Sequence, residues 1–439
     1  MKRILAALTL LLLAAAPARA FIDIREVTSE GGIGAWLVED HSLPFVAIEI
    51  RFRGGARLDP QGKAGAVNLM TGLIEEGAGE MDARAFAATR DRLGARFRFD
   101  AGRDTVSISA RMLTETRGQA ADLLNTALTE TRFSETALER VRGQVLSIIR
   151  RNEQDPNSRA WRRFYETAFA GHPYARPVNG TGDSVNGLAR DDMIAARDAA
   201  IARDRLSVGV AGDITAGELG PLLDRLFAGL PEAGAPLPGP AEVKLAGGVT
   251  VAPYDTPQSV AVFGHEGIAR DDPDFFAAYI LNEILGGSGF SSRLMEEVRV
   301  QRGLSYGVGT SLMTMDNAAL IAGQMASANA RVAEAVEVLR AEWRRAAKGT
   351  VTAGELEAAK KNLIGGYPLR FSGNAAIARI LAGMQYEGLG IDYVETRNDR
   401  VAAVTLDDIN RVAREVLDPA ALSVVVVGQP EGLGKAPPG

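Results

Sequence analysis

Arg299 and Tyr306 are the two residues whose types and spacing most directly suggest chemistry. They stand seven positions apart in Arg-Val-Gln-Arg-Gly-Leu-Ser-Tyr, which reads as the end of an amphipathic helix, a closing turn at Gly303 and the start of a strand. A fixed guanidinium and a phenol are the donors that an oxyanion needs in a water-poor cleft. Taken alone, the two also suit a solvated helix and a half-buried strand. Other candidates are sparse. The three histidines, His41, His172 and His265, are spread along the chain with none at helical spacing to another. Glu75 and Glu76 are adjacent, so they diverge on a helix and make poor joint ligands. Ser288 or Ser291 with His265 could form a hydrolase, but no Gly-x-Ser-x-Gly elbow backs either. Gly286-Gly287-Ser288-Gly289 lacks the Lys-Ser or Lys-Thr of a phosphate loop and reads as a turn between helices.

The elements that must hold Arg299 and Tyr306 are an apolar helix over 275–285, the glycine-rich turn, a second helix starting near the Ser291 and Ser292 cap, and a strand over 306–312. With its Phe-Ser-Ser-Arg-Leu at 290–294, the whole stretch 281–308 resembles the C-terminal half of M16 metallopeptidases (insulinase, pitrilysin and processing peptidases). The resemblance implies that Arg299 and Tyr306 meet the substrate backbone and the charge developing at the scissile carbonyl. It also marks 63–77 as the place of the family's His-x-x-Glu-His motif, where two histidines hold zinc and the glutamate activates water. Here Asn68 and Gly72 stand for the histidines, Thr71 for the glutamate, and Ile148 for the downstream glutamate ligand. No catalytic zinc is therefore expected in this chain. Gly171-His172-Pro173-Tyr174 resembles a further landmark of the family, with a structural role expected from the stiffening prolines 173 and 177.

Lys2 and Arg3, the apolar run 4–16 and Ala18-Arg19-Ala20 read as a secretory signal peptide cut before Phe21. The run is too short to span a bilayer, and no other segment is longer and as apolar, so a soluble periplasmic chain without a membrane span is expected. The 439 residues are too many for one ordinary core, and two domains follow. The chain has no cysteine, which excludes disulfides, thiolate metal sites and a thiol nucleophile. Its net charge of -6 becomes -9 once Lys2, Arg3 and Arg19 leave, which argues against nucleic acid as a partner. The arginines at 140, 142, 150, 151, 159, 162 and 163 read as a solvated basic face rather than a partner surface.

Four prolines and two glycines within 231–240 mark a linker. The expected organisation is a signal peptide at 1–20, a first domain at 21–230, a linker at 231–245, a second domain at 246–430 and a tail at 431–439. The halves repeat each other. Asp192 and Gly212 frame a capped helix and a strand, and so do Asp408 and Gly428, at the same separation of twenty. Asp59-Pro60 precedes a helix over 64–73 as Asp272-Pro273 precedes the one over 275–285. Alternating strands at 35–38, 45–52, 105–110 and 259–263, with helices at 116–129, 134–152, 330–346 and 353–363, predict an α+β fold. Two homologous αβ domains are expected, each an antiparallel-rich sheet covered by helices.

The resemblance implies a metal-free subunit that completes the cleft of a zinc-bearing partner with His-x-x-Glu-His, acting together as a heterodimer on peptide or unfolded polypeptide. The alternative is an architectural or peptide-binding protein, as degenerate M16 relatives are in respiratory complexes. A stand-alone hydrolase is the third option.

Overall fold

A computed structural model describes residues 22–287 and 291–433. The segment read as a signal peptide, Ser288 and the last residues of the tail lie outside these bounds. The first sheet uses β1 (Arg25–Thr28), β2 (Gly34–Glu39), β3 (Phe45–Arg53), β4 (Arg96–Ala101), β5 (Thr105–Leu113) and β6 (Leu206–Gly212). The second uses β7 (Gly248–Pro253), β8 (Gln258–Glu266), β9 (Val308–Thr314), β10 (Ala319–Ala328) and β11 (Ser423–Gly428). Their spatial orders are β1-β2-β6-β3-β5-β4 and β9-β10-β8-β11-β7. With β1 set aside, the two topologies are the same. In each half the last strand runs parallel to the first (β6 with β2, β11 with β7), and every other pairing is antiparallel. Gly212 and Gly428 end the two equivalent strands at φ 136 and φ 153, where a Cβ would meet Phe45 O or Ser259 Oγ at 2.3 Å.

The helices that position the site are α1 (Ala66–Thr71), α2 (Glu135–Gln154), α3 (Pro156–Ala168), α4 (Arg190–Ala200), α5 (Phe275–Gly286), α6 (Ala353–Gly366), α7 (Asn374–Tyr386), α8 (Tyr393–Ala403) and α9 (Leu406–Val416). The Asp192 carboxylate accepts the Ala189 N–H that precedes α4 at 2.8 Å, and Asp408 accepts the Thr405 N–H that precedes α9 at 2.9 Å. The repeat seen in the sequence is thus a repeat of capped helix and buried strand.

Each sheet has two covered faces, and the second cover is exchanged between halves. Val46, Ile48, Ile50 and Phe52 of β3 point into the first half's main core, while Ala47 on the opposite face packs on Ile377, Ala378 and Leu381 of α7. Reciprocally, Phe164, Tyr165 and Ala168 of α3 pack on Val260, Val262, Val425 and Val427 of the second sheet. Burying each large apolar side chain contributes roughly 1.5–3 kcal/mol, so the exchange ties the halves strongly together. Polar contacts reinforce the junction. The buried Arg57 guanidinium sits 2.6 Å from Asp316 and 3.2 Å from Asp104, Tyr174 donates to Asp104 at 2.5 Å, and Tyr386 donates to Asp316 at 2.7 Å.

Residues 229–247 contain no helix or strand. They are nevertheless tied down, since Asn317 Nδ2 donates to Pro238 O at 2.9 Å and Lys244 N donates to Ala168 O at 2.8 Å. Among the described residues no helix is long and apolar enough to cross a membrane.

Candidate functional site

In the second half, α5 leads to Gly287, and the described chain resumes at Ser291. The helix expected after the serine cap is shorter and wound differently: it begins at Arg293, and Met295–Val300 forms a π-helix. Such turns are rare and recur at functional sites. Leu294 and Val298 are fully buried and seat it on the second core. Arg293 anchors it with a planar fork, its Nε and Nη2 reaching Glu355 at 2.6 and 2.8 Å and Nη2 also reaching Thr350 O at 2.7 Å. Burial alone would raise the Glu355 carboxyl, but Arg293 and the Thr352 N–H and hydroxyl hold it down at about 2.

Arg299, half-buried, lies in this π-turn. Its carbonyl accepts the Gly303 N–H at 2.9 Å, and Gly303 turns the chain at φ 58. Tyr306 does not join the strand; β9 starts at Val308. The Ser305 hydroxyl donates to Gly307 O at 2.7 Å and accepts the Gly307 N–H at 3.1 Å, which pins the backbone on both sides of the tyrosine. The Tyr306 side chain is thereby held outward, 85% exposed.

In the first half, α1 spans only six residues against the expected 64–73. Asp59 caps it, accepting the N–H groups of Gly65 and Val67 at 2.7 and 2.9 Å; burial pushes its carboxyl up to about 6 despite these bonds. Of the four positions that the resemblance assigns to zinc, three are engaged otherwise or apolar, and Asn68 is partly exposed on α1. Thr71 is buried and its hydroxyl bonds back to Asn68 O at 2.8 Å. A Cβ on Gly72 would stand 3.0 Å from Val141 of α2, so this helix packs where a histidine side chain would have to leave. Ile148, two turns farther along α2, presents an apolar side chain to solvent. An amide, a glycine and an isoleucine offer neither imidazole nor carboxylate, so these residues do not fit a zinc ion. The neighbouring glutamates are engaged elsewhere: Glu75 pairs with Arg90 at 2.7 Å and Glu76 with Arg140. Among the described residues no three His, Cys, Asp or Glu side chains form a metal-binding group.

The histidines are also accounted for. His265 is buried, with Nδ1 donating to Glu266 O at 2.5 Å and Nε2 accepting from Trp343 Nε1 at 3.0 Å. Burial lowers its pKa, and with both nitrogens taken it cannot serve Ser291 as a base. His172 accepts the Tyr174 N–H at 3.2 Å and faces Gly239 O at 3.2 Å, the structural role expected of it. His41 is exposed and bonded to Asp213 at 2.7 Å.

The basic run is not simply a solvated face. Arg142 is buried and donates to the carbonyls of Val185, Asn186 and Leu188, Arg159 lies over the Tyr254 ring at 4.5 Å, and Arg162 pairs with Glu166 at 2.9 Å. Beside Arg159 a cavity of about 570 Å³ opens, lined by Ile149, Trp161, Tyr165, Asn179 and Met313 among others. A second cavity of about 740 Å³ runs along Gly287, Met295 and Gly307 and shares Trp161 and Met313 with the first. Through these shared residues the two form a groove from the C-terminal part of α2 to Gly307. Sequence reasoning did not find Arg293 or Trp161. The Phe-Ser-Ser-Arg-Leu run contained Arg293, but nothing in it told an anchor from a surface charge.

The two αβ halves match the two-domain fold of the M16 peptidases, and the chain belongs to that family. The family models described as "Insulinase (Peptidase family M16)" and "Peptidase M16 inactive domain" match residues 35–182 and 187–363. Among its relatives is the "Non-peptidase homolog YmxG" of Helicobacter pylori, 26% identical, with 85% of this chain and 86% of the relative covered. An uncharacterized zinc protease of Streptomyces coelicolor is also 26% identical, with 90% of this chain and 87% of the relative covered. A crystal structure of a peptidase M16 inactive domain from Pseudomonas fluorescens has the same fold, with a TM-score of 0.87 at 24% identity over 94% of this chain and 99% of that one.

Proposed function

We propose that this protein is the metal-free subunit of a two-chain periplasmic M16 peptidase. The partner, bearing His-x-x-Glu-His, brings zinc. This chain brings the groove that receives an extended or unfolded peptide, and Arg299 and Tyr306 as donors to the peptide backbone and to the oxyanion formed during cleavage. The observation that carries the proposal is the exposed Tyr306 side chain, held out by a serine-pinned turn next to Gly307 of the groove lining, in a chain where the positions the resemblance assigns to zinc hold Asn68, Thr71, Gly72 and Ile148. Preorganised donors of this kind act without reorganisation at the moment of reaction.

The test is reconstitution: the purified chain, a zinc-bearing M16 chain from the same source, and an unstructured fluorogenic peptide. Hydrolysis is expected only when both chains are present, with a 1:1 complex on gel filtration. Hydrolysis by the partner alone at the rate of the mixture contradicts it. A second reading, a peptide-binding or architectural protein with no part in hydrolysis, draws support from the relative named a non-peptidase homolog. Peptide binding without hydrolysis in any mixture favours that one.

A further inference from the structure

A concentration of positive charge lies around a separate cavity of about 360 Å³, where the exchanged helix α7 meets α5 and α8. Arg51, Arg270, Arg370, Arg379 and Arg397 line it against a single carboxylate, Glu387, in a chain whose net charge is -6. Two of the five guanidiniums are fixed walls. Arg270 donates to the Tyr393 hydroxyl at 2.8 Å and lies over the Phe275 ring at 4.2 Å, and Arg397 donates to Leu363 O at 2.8 Å and lies over the Tyr367 ring at 4.6 Å. The aromatic rings thus serve to orient cations. The other three differ: among the described residues no carboxylate lies within 4.0 Å of Arg51, Arg370 or Arg379, and none has a side-chain hydrogen bond. Arg51 comes from β3 of the first half and runs along α7 at Gly383, where a Cβ would stand 3.4 Å from its Nη1.

The five cations outnumber the two carboxylates in their field, Glu387 in the lining and the buried Glu49 near Arg51 and Arg379, and they repel each other unless an anion joins them. A monoanion would leave most of the surplus, whereas a phosphate group carries up to two charges and takes guanidinium forks two oxygens at a time. The cavity has room for about twelve water molecules' share of volume, more than a bare phosphate fills. We propose that this pocket binds a small phosphate compound, a phosphate ester or a diphosphate, gripped by Arg51, Arg370 and Arg379 between the walls formed by Arg270 and Arg397. The site is distinct from the peptide groove, and its occupancy does not depend on the function proposed above.

Isothermal titration of the full chain with pyrophosphate, at constant ionic strength and with acetate as the control anion, tests it. Arg370 and Arg379 are exposed, so the double variant Arg370→Met/Arg379→Met is expected to keep the wild-type melting curve while binding pyrophosphate at least tenfold more weakly. Arg51→Lys, which keeps the charge and loses the fork, is expected to fall between the two. Equal affinity in wild type and double variant, or no saturable binding beyond that of acetate, overturns the proposal.

Discussion

The two halves begin alike, with Asp59-Pro60 ahead of α1 and Asp272-Pro273 ahead of α5, and then part company. In the first half the helix closes after six residues; of the positions the resemblance assigns to the metal, Thr71 bonds back to its own helix, Gly72 lies under Val141 and Ile148 is apolar. In the second half the helix runs for twelve residues and delivers a π-turn clamped by Arg293, followed by a tyrosine that no packing or hydrogen-bonding need of the fold explains. A large aromatic ring held at 85% exposure has no folding advantage. On the proposed function this difference assigns the chemistry of the chain to the corner near 299–306 and leaves α1 a structural part.

The sharpest way to break this contrast is to remove the clamp. Arg293→Ala leaves the half-buried Glu355 without its guanidinium, and urea unfolding is expected to show a loss of about 2 kcal/mol. Arg293→Lys is expected to recover little of it, because an ammonium cannot replace the two-pronged contact. A loss of less than about 0.5 kcal/mol in the alanine variant would mean that the corner is held by something else.

A smaller effect is expected at α1. Gly72→Ala places a methyl 3.0 Å from Val141, and a cost of about 1 kcal/mol follows from overpacking. Val141→Ala in the same chain is expected to return part of that cost, a coupling that a double-mutant cycle measures. Additive losses would show that α2 does not press on Gly72.

The third contrast is a difference in sign between the two capping carboxylates. Asp59 sits at about 6 in the folded chain, above its ordinary 3.8, so the folded state holds the proton more tightly and the contribution to stability is lost as pH rises from about 4 through 6. Glu355 sits at about 2, below its ordinary 4.5, so its contribution is present above 4.5 and is lost as pH falls toward 2. Stability of wild type relative to Asp59→Asn is expected to decline on going from pH 4 to 6, and relative to Glu355→Gln on going from pH 4.5 to 2. The same slope for both variants would contradict the environments described.

Much of the fold was legible because the repeat is written in residues with strong local meaning. Asp192 and Asp408 cap helices, and Gly212 and Gly428 end strands at positive φ, so their equal spacing reported two copies of one unit. The exchange of α3 and α7 between sheets was not legible, since an amphipathic stripe states that a helix is covered and not by which sheet. The surroundings of the positions that the resemblance assigns to zinc were not legible; the press of Val141 on Gly72 joins residues 69 apart in sequence. At the corner, alternation from Tyr306 onward predicted a strand. The Ser305 side chain competes with that pairing by bonding its neighbour's backbone, which delays the strand to Val308. Arg142 was placed on a solvated face because its partners are backbone carbonyls 43 to 46 residues away, invisible in its own helix.

Under the proposed function Tyr306 acts on a bond that another chain cuts. The most direct measurement is kcat/KM of the reconstituted pair with Tyr306→Phe in this chain, at saturating subunit concentration and with the melting temperature checked. A fall of about 10²–10³-fold with unchanged stability and unchanged complex formation is expected. A kcat/KM within twofold of wild type would contradict it and leave this chain as scaffold.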